Sequence, residues 1–234
     1  MVLGAWVAVT IATQFLGTEL TNASQGSLLT VLTPIFAVVL GASVLGERVT
    51  RAKAAGVVLA AVGTVVVFAG QYDLTGIAAG NAAGVALLVL ASLAWAGYTV
   101  WGVAVVRKYG ALTAATYSAI AATPMLFVLA VVELAVVGRG VGSIPLSAGF
   151  LFAVAYLGLA STAAAWYLWY KGLEHVPAGT VAVFFFFLHP VVGISLGSVL
   201  LGEQVGSAFA VGSLIIGVGV WIVSRERAGD AGSN

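Results

Sequence analysis

The sequence predicts an all-α bundle of membrane-spanning helices, and three observations predict it: an apolar composition, long runs free of charge, and basic residues confined to one side. Of 234 residues, 62% are hydrophobic and 7% charged, against roughly 45–50% and about 25% in soluble domains. A soluble fold of this size cannot bury that much apolar surface, so part of its solvent must be lipid. Charged residues bound eight runs, 1–18, 20–46, 54–72, 74–106, 109–132, 140–170, 176–202 and 204–224. A spanning helix needs about 20 mainly apolar residues, which every run but the first, starting at Met1, supplies comfortably. Period-two alternation is absent and the runs are too long for barrel strands, so a backbone in lipid must satisfy itself as helix.

The elements follow in order. The first helix is expected over 2–18; it has no basic start and no small-residue cleavage site, so it is not a signal peptide. The second, 24–45, carries Thr33 and Pro34 and ends at Gly46-Glu47; the third, 52–69, is glycine-rich. The fourth, 81–106, holds Trp95, Tyr98 and Trp101 at three-residue spacing; the fifth, 112–136, contains Pro124. The sixth, 148–171, ends in an aromatic cluster before Lys171; the seventh, 178–201, contains Phe184–Phe187, His189 and Pro190; the eighth is 207–224. Pro34, Pro124 and Pro190 fall near mid-helix and read as points of bending.

Alternating helices place Arg48, Arg51, Lys53, Arg107, Lys108, Lys171, Arg225 and Arg227 on one side and Arg139 alone on the other. Basic residues of short loops accumulate on the cytoplasmic side, so both termini are expected there. The net charge of +1 gives no basis for nucleic-acid binding, and the absence of cysteine excludes disulfides, thiol catalysis and cysteine metal sites.

A shift of 156 residues lays Pro34 on Pro190, Gly41 on Gly197, Gly46-Glu47 on Gly202-Glu203, Gly56 on Gly212 and Gly63 on Gly219. The turn "GERVTRAK" holds three basic residues and "GEQVGSAF" none, which sets the two copies on opposite sides of the membrane as an inverted repeat. Inverted repeats are characteristic of secondary transporters, whose sites lie near the midplane between them. The expected organisation is a first repeat over 1–70, with three helices where the second has five, an external linker over 71–80, a second repeat over 81–225, and a disordered cytoplasmic tail over 226–234.

The segments "LTPIFAVVLGASVLGERVTRAKAAGVVLAAVGTVVV", "LASLAWAGYTVWGVAVVRK" and "STAAAWYLWYKGLEHVPAGTVAVFFFFLHPVVGISLGSVLLGEQV" resemble the EamA-type drug/metabolite transporter superfamily. The resemblance implies two inverted five-helix repeats, of whose ten helices eight are present here, with the first two lacking. It implies a multi-pass protein of the inner (plasma) membrane and a secondary transporter, an exporter of a small organic metabolite such as an amino acid or a drug-like compound. Nothing resembles an ATP-binding loop, so a gradient or exchange would supply the energy. The competing reading is a truncated accessory or inactive protein of the same fold. An enzyme is not expected, because the histidines, His175 and His189, stand apart from any acidic cluster. No cofactor or metal is expected; the partners are a small-molecule solute and the lipid bilayer, with a homo-oligomer left open.

Polar groups at mid-helix are the candidates for substrate binding: Gln14, Thr33, Trp95, Tyr98, Thr162 and His189; Trp166 joins them as the exception in the aromatic cluster before Lys171, which otherwise reads as an interfacial belt. His189 is the one ionisable group among them and precedes Pro190, where a freed backbone carbonyl can meet a ligand. Its structural alternative is a neutral imidazole donating to a neighbouring helix. Trp95 and Tyr98 read as an aromatic wall on one helix face, with lipid contact as the alternative. Gln14, Thr33 and Thr162 can bond a substrate or a neighbouring helix. The run Phe184–Phe187 surrounds its helix and reads as packing or lipid contact, and Glu47 and Glu203 read as turn residues beside helix N-termini.

Overall fold

A computed structural model describes residues 2–21, 26, 29–71, 81–138, 146–201 and 206–231. Eight long helices stand among them: α1 (Val2–Leu20), α2 (Leu32–Leu45), α3 (Arg51–Gln71), α4 (Ala82–Tyr109), α5 (Ala111–Val137), α6 (Ala148–Leu173), α7 (Ala178–Leu201) and α8 (Ser207–Ala231). Six helices among the described residues are long and apolar enough to cross a membrane. Local chemistry sets their ends. The Asn81 side chain accepts from the Ala83 N–H at 2.9 Å and Ser147 from the Phe150 N–H at 3.2 Å, capping α4 and α6. Gly110, at φ 83°, makes the abrupt break between α4 and α5.

The repeated glycines are the axis of the bundle. α3 lies along α8, and a Cβ on Gly56 would sit 2.7 Å from the Gly219 carbonyl oxygen, while one on Gly63 would sit 2.8 Å from that of Gly212. The reciprocal contacts, Gly219 on Gly56 and Gly212 on Gly63, are as close. Exchanging Gly56 with Gly212 and Gly63 with Gly219 maps this set of contacts onto itself, the relation an inverted repeat requires. Small residues let helix backbones approach in lipid, where no hydrophobic force drives association. Around this crossing Val57, Val67, Phe187, Ile216 and Val220 form one apolar cluster; a second gathers Val7, Tyr98, Val103, Tyr170 and Leu173 between α1, α4, α5 and α6.

α1 packs on α4 and α5. By the shift of 156 residues it corresponds to α6 from residue 158 onward, where Trp169, Tyr170 and Leu173 are buried. The first half of α6 has no buried residue over Ala148–Ala164 and includes a π-helical stretch, Leu157–Ala164.

One boundary differs from expectation and one helix is interrupted. The continuous α2 begins at Leu32, but Gly26 and Leu29 before it are also helical and the Thr30 N–H donates to the Gly26 carbonyl at 3.3 Å, so the interruption falls at Thr30 and Val31. Pro34 lies in the first turn after that interruption, where its missing N–H costs nothing. The last helix runs to Ala231, through the segment expected as a disordered tail from 226. Arg225, Glu226, Arg227 and Ala228 are good helix formers, and nothing in their chemistry stops a helix on leaving the apolar run. Residues 72–80, most of the expected linker, and Gly202-Glu203, the second Gly-Glu turn, lie outside the described residues.

Candidate functional site

Alternation of the helices gathers Arg48, Arg51, Lys53, Arg107, Lys108, Lys171 and Arg225 at one end of the bundle, the basic end. Two glutamates tie helices together there. Gly46 closes α2 in the left-handed conformation, φ 67°, and the Glu47 N–H donates to the Gly41 carbonyl at 3.1 Å. The Glu47 side chain passes so close to Gly41 that a Cβ there would sit 2.9 Å from the carboxylate. That carboxylate accepts from the N–H groups of Ala178 at 2.7 Å and Gly179 at 3.4 Å, and Lys53 lies 3.6 Å from it. A residue of the first repeat thus caps α7 of the second, its charge favoured by the helix dipole. Glu174 likewise accepts from the Ala111 N–H at 2.8 Å, at the start of α5, and from Lys171. Those two bonds, that to Lys171 first, hold the Glu174 carboxyl below the ordinary carboxylate range.

Above this closed end lies a cavity of 230 Å³ between the repeats, lined from α1 by Thr10, Ile11, Gln14 and Phe15, from the α2 region by Thr30 and Thr33, from α4 by Ala91 and Trp95, and from α7 by Phe185, Phe186 and His189. His189 lies eleven residues along α7 from Ala178, about 16 Å at 1.5 Å per residue, which is mid-depth in a bilayer. No Asp, Glu, Lys or Arg is among the described residues of the lining. The Thr10 hydroxyl is spent on its own helix, donating to the Trp6 carbonyl at 2.8 Å. Among the described residues, the Gln14 amide and the His189 imidazole have no protein hydrogen-bond partner, and the Trp95 Nε1 donor is buried without one.

Aromatic rings close the cavity toward the basic end. Trp95 meets Trp166 edge-on at 4.9 Å between centroids, Trp169 at 5.7 Å and Phe186 at 6.1 Å. Tyr98, fully buried, packs on Trp166 at 5.3 Å and stacks on Tyr170 at 4.8 Å. His189 lies against Phe185 at 4.5 Å. Such pairs hold one another in fixed orientation as well as burying area.

Of the residues expected at the site, the fold brings Gln14, Thr33, Trp95 and His189 to one cavity. Tyr98 and Trp166 touch it only through Trp95, as its floor. Thr162 lies in the exposed π-helical stretch of α6, away from the cavity lining. Phe185 and Phe186, expected as packing or lipid contact, are part of the lining. Their spacing from His189, three and four residues on one helix, was the available signal: those positions share a face.

The EamA-like transporter family matches residues 2–69 and 82–225. An uncharacterized transporter of Archaeoglobus fulgidus is 28% identical over 212 residues, 91% of this chain and 71% of that protein. A protein of Bacillus subtilis described as permease-like, YdzE, is 49% identical over 72 residues, 31% of this chain and 91% of that protein. A solved crystal structure, 20% identical, has the same fold at a TM-score of 0.75, covering 95% of this chain and 76% of that one.

Proposed function

The chain belongs to the EamA-like transporter family, and from that premise we propose that this multi-pass membrane protein is a secondary transporter that exports a small organic solute, an amino acid or a drug-like compound, by alternating access. The observation that carries the proposal is the cavity between the repeats, at mid-depth, with unpaired polar groups from α1 and α7 facing a charge-free aromatic wall. It is sealed toward the basic end by stacked rings and by the Glu47 and Glu174 ties. Alternating access needs such a seal to open while another closes. In this proposal the basic end faces the cytoplasm, by the bias of Lys and Arg, the membrane is the inner (plasma) membrane, and both termini are cytoplasmic.

A second reading, a bundle of this fold that assembles without moving solute, is favoured by the uncovered first half of α6. Flux separates the two. Proteoliposomes are loaded with a mixture of amino acids and drug-like compounds, and the contents are followed by mass spectrometry. At least one compound should leave faster than from protein-free vesicles, and His189→Ala should slow that loss at equal reconstituted protein. No compound leaving faster than the control refutes transport.

A further inference from the structure

We propose that the cavity selects an uncharged, flat heteroaromatic solute whose edge carries both a hydrogen-bond donor and an acceptor; this rests on the transport reading and narrows it. The first ground is charge. Among the described residues the lining holds no carboxylate, ammonium or guanidinium, and the Glu47–Lys53 ion pair is committed to capping α7 at the basic end. A net charge placed in the cavity would lose its hydration with nothing to replace it, a large cost in an apolar setting.

The second ground is the inventory of unspent polar groups. Gln14 offers an amide, both donor and acceptor, and His189 an imidazole with one of each when neutral. A solute that only donates or only accepts strips water from part of this set without replacing its bonds, which costs affinity. A solute presenting both, as a carboxamide or a ring-nitrogen edge does, pairs with it. The third ground is shape. Trp95, Phe185 and Phe186 supply π-faces and edges around 230 Å³ of space, about eight water volumes at about 30 Å³ each, which suits one small ring with a polar substituent.

The test uses two probes of the same shape, nicotinamide and nicotinate, which differ in charge. Binding to the full chain in nanodiscs is measured by equilibrium dialysis, with no transport step involved. Nicotinamide should bind, and nicotinate should bind at least about tenfold more weakly. Gln14→Leu should weaken nicotinamide binding by a similar factor. Equal or tighter binding of nicotinate, no binding of nicotinamide, or an unchanged affinity in a folded Gln14→Leu protein would each overturn the assignment. The wild-type comparison of the two probes stands whether or not the variant folds. Absence of flux for every solute, with nicotinamide binding intact, would instead unseat the transport reading and leave the cavity's chemistry as assigned.

Discussion

Glu47→Ala tests the tie between the repeats. In the wild type, the Glu47 and Lys53 side chains are only 12% and 8% exposed, and the carboxylate also receives two N–H groups from the start of α7. Removing it leaves the Lys53 ammonium buried without a partner and exposes the α7 N-terminus to no acceptor. Breaking one partner of a buried ion pair costs about 3–5 kcal/mol, and a hydrogen bond to a charged group contributes about 1.5–3 kcal/mol. The terms overlap, so the expected loss is about 3–5 kcal/mol and not their sum. Reversible unfolding in mixed micelles, followed by circular dichroism, measures it. A second variant, Glu47→Ala with Lys53→Met, removes the stranded charge and should recover part of the loss. A single variant within about 0.5 kcal/mol of wild type would show that Glu47 does not hold α7 in place, and a double variant no more stable than the single one would show that a stranded Lys53 charge is not part of the loss.

Three further expectations concern other parts of the fold. Gly63→Ala puts a Cβ 2.8 Å from the Gly212 carbonyl oxygen and should destabilise by about 1–3 kcal/mol in the same unfolding assay. Glu174, whose folded carboxyl titrates below its ordinary value of 4.5, contributes stability that is present above that value and lost as pH falls through the folded one; the stability gap between wild type and Glu174→Gln should therefore be open at pH 7 and close on acidification. The chain has no cysteine, so single cysteines at Arg48 and Leu146, at opposite ends of the bundle, report orientation directly. An impermeant maleimide added to intact cells should label Leu146→Cys and spare Arg48→Cys, and equal labelling would refute the proposed topology.

Helix number and approximate limits were legible because in lipid both depend on one quantity, the length of sequence free of charge. The limits that moved did so for reasons local to a few residues. Pro34 was legible as a point of bending, but the position of the break, one turn earlier at Thr30 and Val31, was not. At the site, Gln14, Thr33, Trp95 and His189 were visible as polar or amphipathic groups at the right depth, and the packing brings them together. Depth says nothing about azimuth, however. Thr162 sits at a comparable depth but on a stretch with no buried residue, while Phe185 and Phe186 enter the lining through how α7 is rotated against α2 and α4. Rotation about a helix axis is set by packing partners distant in sequence, and a helix apolar all round carries no amphipathic stripe from which to read it.

The crossing of α3 and α8 has a mechanical consequence. Where it is tightest, main chain rests on main chain, Gly56 against Gly219 and Gly63 against Gly212. Branched side chains seat in the hollows the glycines leave: Val223 at Gly56, Ile216 at Gly63 and Val67 at Gly212, each within 2.9 Å of where a Cβ would stand. The crossing is therefore a keyed joint, and a methyl group at any of these three positions presses on a backbone carbonyl and on a branched side chain together.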